Sequence, residues 1–307
     1  MIRPARLLGL LLGGAALVSV PAAAQFGAIS GIINKAQSAQ KIGEGLRKIN
    51  EQEEIKIGGD LAAMLLGAAP LIADPAKQSY INTLGRWLAL HSERPGLPWK
   101  FGIIDSDDFN AFSTPGGYVL VTRGLFERMR SESELAGVLA HEIAHVARKH
   151  HLAALQKSLR NQSLTEMRSY FSVSTGSSIG DRFGGALLSA GKDLYARGLD
   201  KDDEYEADRI GVVIAARAGY SPWGLAGVLQ TLTATTDESK YGLHNRTHPL
   251  PLDRLARLDA AMGTRFDAMP DLVDDLPGFA ALRKPPASQA SPSRPKPPPA
   301  KSGRRRP

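Results

Sequence analysis

The chain has 307 residues, 43% apolar and 22% charged, the composition of an ordinary globular protein with a sizeable core rather than of a disordered or fibrous one. It contains no cysteine, which excludes a disulfide framework, a thiolate metal site and a lipid-modified cysteine. The net charge of +7 is carried by the ends: Arg3 and Arg6 lie in the first turn of sequence and eight cations lie between Arg283 and Arg306, so the remainder is mildly acidic and offers no basic face to nucleic acid.

Residues 1–24 read as a secretory signal peptide. Arg3 and Arg6 form its positive region, Leu7 to Val20 its apolar stretch, and Ala22-Ala23-Ala24 a small-residue cleavage site before Gln25. The apolar stretch falls short of the roughly 20 residues a spanning helix needs. A cleaved, periplasmic protein is therefore expected, a setting that suits a cysteine-free chain. Residues 25–52 form an N-terminal segment whose Ile29, Ile32, Ile33, Ile42 and Leu46 are compatible with one weak amphipathic helix.

The main domain is expected over 53–283. Helices are predicted over 53–70, with Leu61, Met64, Leu65 and Leu66 on one face, and over 76–92, opened by Asp74-Pro75 and continued by Ile81, Leu84, Trp87 and Leu88. From Trp99 the period shifts: Trp99 to Ile104 and Tyr118 to Thr122 read as strands, with the turn signal Pro115-Gly116-Gly117 between them, which predicts a small antiparallel sheet. Ser131 and Glu134 form a capping box, after which Leu135, Val138, Leu139, Ile143 and Val146 keep helical spacing to about Leu155. A Gly/Ser-rich stretch, 172–191, reads as a flap or a connection, and helices resume over 201–218, 222–235 and 251–262. Residues 284–307 are Pro, Ser, Ala, Lys and Arg with little apolar bulk, and are expected to form a disordered basic tail suited to an anionic membrane or cell-wall surface.

The chemistry is concentrated in His141-Glu142-Ile143-Ala144-His145. At about 100° per residue, four residues return to the same helix face, so both imidazoles can chelate one ion while Glu142 stands beside them as a general base. A catalytic zinc takes three protein ligands, and the third candidate lies in Asp202-Asp203-Glu204-Tyr205-Glu206-Ala207-Asp208. Glu204 and Asp208 share a face at i, i+4, which allows one to bind metal while the other orients a ligand histidine. Spacing alone leaves Glu204 and Glu206 both open.

Taken together, several ordered elements between Glu53 and Leu258 resemble the zinc metallopeptidase family that includes HtpX and the CaaX prenyl proteases. They are Asn110-Ala111-Phe112 with Pro115-Gly116-Gly117, Thr122-Arg123-Gly124-Leu125, the His141–His145 motif, Glu204 to Asp208, Gly219-Tyr220, and Thr247-His248-Pro249 with Arg254. The resemblance implies an α+β fold: a mainly helical, zincin-like (gluzincin) metallopeptidase domain. It assigns one Zn2+ per chain to His141, His145 and Glu204, with Asp208 behind them, Glu206 structural and Glu142 as catalytic base. His248 and Arg254 become candidate active-site residues, Arg254 with an ion-pair reading equally open. The strand Tyr118–Thr122 becomes the edge that pairs with an extended substrate. Lys201 departs from the family, which often has Arg at that place. His91, His150, His151 and His244 fall outside the motifs and read as structural or solvated.

The implied activity is endoproteolysis of unfolded or misassembled cell-envelope polypeptides, as in the soluble exported BepA-type branch, here with a basic tail where that branch carries a helical-repeat domain. The alternative is a zinc-stabilised periplasmic chaperone or scaffold with weak or suppressed proteolysis.

Overall fold

The computed structural model describes residues 49–158, 180–234, 238–267, 269 and 272–283. The signal peptide, nearly all of the N-terminal segment and the basic tail lie outside the described residues, as does the first part of the Gly/Ser-rich stretch.

Helix α1 (Glu51–Ala68) opens with a complete capping box: Glu53 N–H donates to the Asn50 side chain and Asn50 N–H donates to the Glu53 carboxylate. Of the predicted apolar face only Leu61 is fully buried. Helix α2 (Pro75–Ala89) has Asp74 as N-cap and Pro75 in its first turn, and it buries Ile81, Leu84 and Leu88 as the spacing predicts. Trp87 is half-exposed, its indole N–H donating to the Ala218 carbonyl.

Three strands follow: β1 (Lys100–Ile104), β2 (Ala111–Thr114) and β3 (Tyr118–Thr122). The sheet is mixed, in the order β1-β3-β2, and this corrects the antiparallel pairing expected from sequence. The Pro115-Gly116-Gly117 turn joins β3 to β2, a short strand the sequence reading passed over, and β1 pairs with β3 in parallel. Gly116 and Gly117 adopt φ of 79° and 106°, the left-handed region that a side chain would resist. The outer edge of β1 is closed by helix α2: Asn82 accepts from Phe101 N–H, and Gln78 accepts from Ile103 N–H while donating to the Ile103 carbonyl. Among the described residues no strand pairs with the outer edge of β2, and β3 is the centre of the sheet.

Helix α3 (Arg123–Arg128) is capped by Thr122. Helix α4 (Glu132–Ala147) carries the histidine motif, and all of its residues are buried. Leu135, Leu139 and Ile143 are fully enclosed, each contributing about 1.5–3 kcal/mol of apolar burial. The expected capping box is half made: Ser131 accepts from Glu134 N–H, but the Glu134 carboxylate accepts from Arg130 N–H, one residue earlier than a box requires. The helix also stops before Leu155. Lys149 adopts φ of 62°, and a new helical segment, 150–158, begins after it.

Helices α5 (Gly180–Arg197), α6 (Lys201–Arg217), α7 (Gly224–Thr233), α8 (Glu238–Thr247) and α9 (Pro251–Met262) complete the body, and α10 (Pro277–Arg283) closes it. Helix α6 packs on α4 along its length, and α7 and α9 flank them. Among the described residues no helix is long and apolar enough to cross a membrane.

Candidate metal centre and active site

Helix α4 projects His141 and His145 from one face, their Nε2 atoms 3.0 Å apart. Helix α6 places Glu204 opposite, with Oε1 3.5 Å from His145 Nε2 and Oε2 3.6 Å from His141 Nε2. Helix α6 can approach this closely because Gly211 lies on the same face as Glu204 and Asp208, at i, i+4, i+7. A Cβ there would stand 2.9 Å from His141 N. His248, in the connection between α8 and α9, brings Nε2 to 3.7 Å from Glu204 Oε2, while its Nδ1 lies 2.9 Å from Thr247 Oγ1. His141, Glu204 and His248 each offer a ligand atom within 4.8 Å of the others, and His145 adjoins the first two.

Behind the ligand face, His141 Nδ1 lies 3.0 Å from Asp208 Oδ1. Arg254 grips the same carboxylate through Nε at 3.0 Å and Nη2 at 2.6 Å. The whole arrangement is buried. Arg254 thus supports Asp208, which supports His141, and the ion-pair reading of Arg254 is the one its contacts favour. Glu142, between the two histidines, accepts a 2.7 Å hydrogen bond from Ser113 Oγ on β2. Ser113's own carbonyl accepts from the Tyr195 hydroxyl of α5.

Burial acts on every group here, and neighbours decide the balance. Burial lowers His141, but the neighbouring carboxylates of Asp208 and Glu204 outweigh it and push its pKa up to about 9. Burial raises Glu142 above the usual carboxylate range, against the opposing pull of His141 and Ser113. His145 and His248 are held well below the ordinary imidazole value, first by burial and then, for His145, by the neighbouring His141. Burial would raise Glu204, yet His248 and His141 bring it below its ordinary value. A buried carboxylate kept ionised among imidazoles is the electrostatic condition of a cation site.

The residues fit a metal ion on a second, independent ground. Glu204 Oε2 is buried and has no hydrogen-bond partner among the described residues, which a native structure rarely tolerates in a charged group. Two imidazoles and a carboxylate at this spacing are a divalent-cation donor set. Asn110 Nδ2 is likewise buried without a partner, and Asn110, Ala111, Phe112, Glu142, Glu204 and His248 line one cleft.

The family model for peptidase family M48 matches residues 75–262, from the start of α2 to the end of α9, with the metal centre inside it. The chain belongs to peptidase family M48. It is 34% identical over 210 residues to the beta-barrel assembly-enhancing protease of Escherichia coli K12, an alignment covering 66% of this chain and 42% of that one. It is 31% identical over 173 residues to the metalloprotease YcaL of the same strain, covering 54% and 63%. To the metalloprotease LoiP it is 27% identical over 202 residues, covering 66% and 77%. The chain therefore spans less than half the length of the first of these M48 relatives.

The M48 centre here gathers every predicted site residue: His141, Glu142, His145, Glu204, Asp208, His248 and Arg254. It adds two that sequence reasoning did not name, Ser113 and Tyr195, and brings in two that it read as structural or solvated, Glu206 and His150. Ser113 contacts Glu142, Tyr195 contacts Ser113, and His150 lies 2.9 Å from His145, Nδ1 to Nδ1. Glu206 receives His150 Nε2 at 3.1 Å. His150 was expected to be structural or solvated because a straight helix would carry it off the metal face. The left-handed turn at Lys149 folds it back. The edge nearest the centre is β2, whereas the sequence reading assigned that role to Tyr118–Thr122.

Proposed function

We propose that this M48 chain is a zinc-dependent endopeptidase of the cell envelope that cleaves unfolded or misassembled polypeptides. The observation that carries the reading is the convergence of His141, His145 and an otherwise orphaned Glu204 beside Glu142. His141, His145 and Glu204 would hold one zinc, which when bound acts as a Lewis acid towards a peptide carbonyl and towards water. Glu142 takes a proton from the attacking water and returns it to the leaving amine, a task suited to a carboxylate whose burial has raised its proton affinity. Ser113 holds one Glu142 oxygen, and Glu142 lines the cleft. An extended substrate would pair with the β2 edge, which reads backbone and makes sequence preference loose.

Export rests on the predicted signal peptide, and action on envelope proteins is further supported by the names of the beta-barrel assembly-enhancing relatives. The basic tail is read as a tether to anionic surfaces, testable by salt-dependent sedimentation of full-length and tail-deleted protein. His248, aimed at Glu204 by Thr247, supports a resting arrangement in which a fourth protein group closes the metal site.

The test is digestion of an unfolded protein by the wild type, Glu142→Gln and His248→Ala, each with and without chelator. Wild type should cleave, chelator should stop it, Glu142→Gln should lose activity by orders of magnitude while keeping its metal, and His248→Ala should cleave faster. Suppression of aggregation without cleavage, by wild type and Glu142→Gln alike, would instead favour the chaperone reading.

A further inference from the structure

The two ligand histidines are supported differently. His141 leans directly on a carboxylate, Asp208. His145 does not: its Nδ1 meets the Nδ1 of His150, whose Nε2 faces Glu206 Oε2 at 3.1 Å and Asp203 Oδ1 at 3.9 Å. Glu206 is in turn held by Arg148 through Nε at 3.1 Å, and Arg148 also reaches Glu93. His150 is buried, with its ring 5.1 Å from that of His145.

Two nitrogens of the same kind 2.9 Å apart can form a hydrogen bond only if one carries the proton and the other a lone pair. The carboxylates decide which. With Glu206 accepting at Nε2, a neutral His150 ring carries its one proton there and has an accepting lone pair at Nδ1. His145 must then donate from Nδ1, which leaves its Nε2 lone pair aimed at His141 and Glu204, where a metal ligand needs it.

We propose that His150 and Glu206 are positioning residues that fix His145 in its Nδ1-protonated form and aim its Nε2 at the metal. Helix α6 then supplies an acid for each duty: Glu204 to the ion, Asp208 to His141, and Glu206 to His145 through the bridging imidazole. The bridge depends on the break at Lys149. On a continuous helix a residue five places on would lie about 140° around the axis from His145 and could not meet it. This inference rests on the proposed metal site.

Metal-free protein is titrated with Zn2+ alone against a chromophoric chelator, and Co2+ absorption spectra are recorded in parallel. His150→Leu should weaken Zn2+ binding by about 10- to 100-fold, the range seen when such outer contacts are removed, and should alter the Co2+ bands. His150→Gln should recover most of the affinity and the wild-type spectrum, because its carbonyl accepts from His145 and its amide donates to Glu206. A variant that merely disturbed packing would show no such rescue. If His150→Leu does not fold, Glu206→Ala against Glu206→Gln carries the test, with only Ala weakening Zn2+ binding. Wild-type affinity in His150→Leu, or equal loss in Leu and Gln, overturns the proposal while leaving the metal site standing. A wild-type protein that takes up no Zn2+ overturns both.

Discussion

At the scale of single residues, the site separates an acid that touches the metal from one that touches only its support. Glu204 is buried with an oxygen that has imidazoles near it but no hydrogen-bond partner among the described residues, whereas Glu206 is part-exposed and already bonded to His150 and Arg148. Glu204→Gln should therefore abolish stoichiometric zinc binding, and Glu206→Gln should retain it, since its carbonyl still accepts from His150. Metal content after dialysis measures both, and the reverse pattern would mean that the wrong acid has been assigned. The histidine motif was legible because its chemistry is written in residue type and in a four-residue spacing that survives any tertiary context. Ser113 and His150 were not. Ser113 reaches Glu142 across 29 positions of sequence, and His150 reaches His145 only through a backbone conformation that Lys, unlike Gly, does not advertise.

At the scale of elements, the decisive relation is the close seating of α6 on α4. A methyl at Gly211 would meet the His141 backbone at 2.9–3.0 Å, so the helices must part or shift. Gly211→Ala gains up to about 1 kcal/mol of helix propensity but incurs about 1–3 kcal/mol of overpacking, and it moves Glu204 away from the histidines. Thermal unfolding and zinc titration should show net destabilisation together with weakened metal binding. An Ala variant as stable and as tightly metallated as wild type would refute the close-approach argument. A second junction ties α1 to the end of α4. Fully buried Glu54 receives Arg94 at 2.6 Å and Lys149 at 2.9 Å. Burial raises the Glu54 pKa, but Arg94 and Lys149 outweigh it, so the folded value lies below 4.5. The unfolded chain then binds more protons than the folded one in this window. The pair's stabilisation is present above the unfolded value and is lost as pH falls through the folded one. Glu54→Gln should cost about 1–3 kcal/mol near neutrality and flatten the acid limb of stability against pH, as read by denaturant midpoints from pH 7 downward. Helices were largely legible at this scale because capping and apolar period are local. The parallel pairing of β1 was not, since it depends on β3 inserting between two strands that precede it.

For the whole molecule, the candidate metal centre is part of the core: α4 carries two of its ligands, His141 and His145, together with apolar residues that α2, α6 and α7 pack against. Metal binding should therefore be visible as global stability. At a thousandfold excess over its dissociation constant, zinc adds about 4 kcal/mol to unfolding, so chelation should lower Tm by several degrees and zinc should restore it. Calorimetry checks this, and a Tm indifferent to chelator would count against the centre. The α+β class was legible because the period of the sequence changes at Trp99 and changes back at Ser131. The closing segment was not legible, because its contacts are all distant. Residues 272–283 return to the start of α4, where Ser133 N–H donates to the Asp274 carbonyl, Glu132 N–H to the Asp275 carboxylate, and Phe279 is fully buried between Tyr80 and Phe126. These bonds span 141 to 143 residues. A ribosome delivers this segment after the rest of the described domain, so two N–H groups at the head of the metal helix, those of Glu132 and Ser133, wait for their acceptors until almost the entire domain has been made. Such late closure delays folding. In a chain exported as proposed, that delay favours a precursor still threadable through a translocation pore and a peptidase assembled only on the far side.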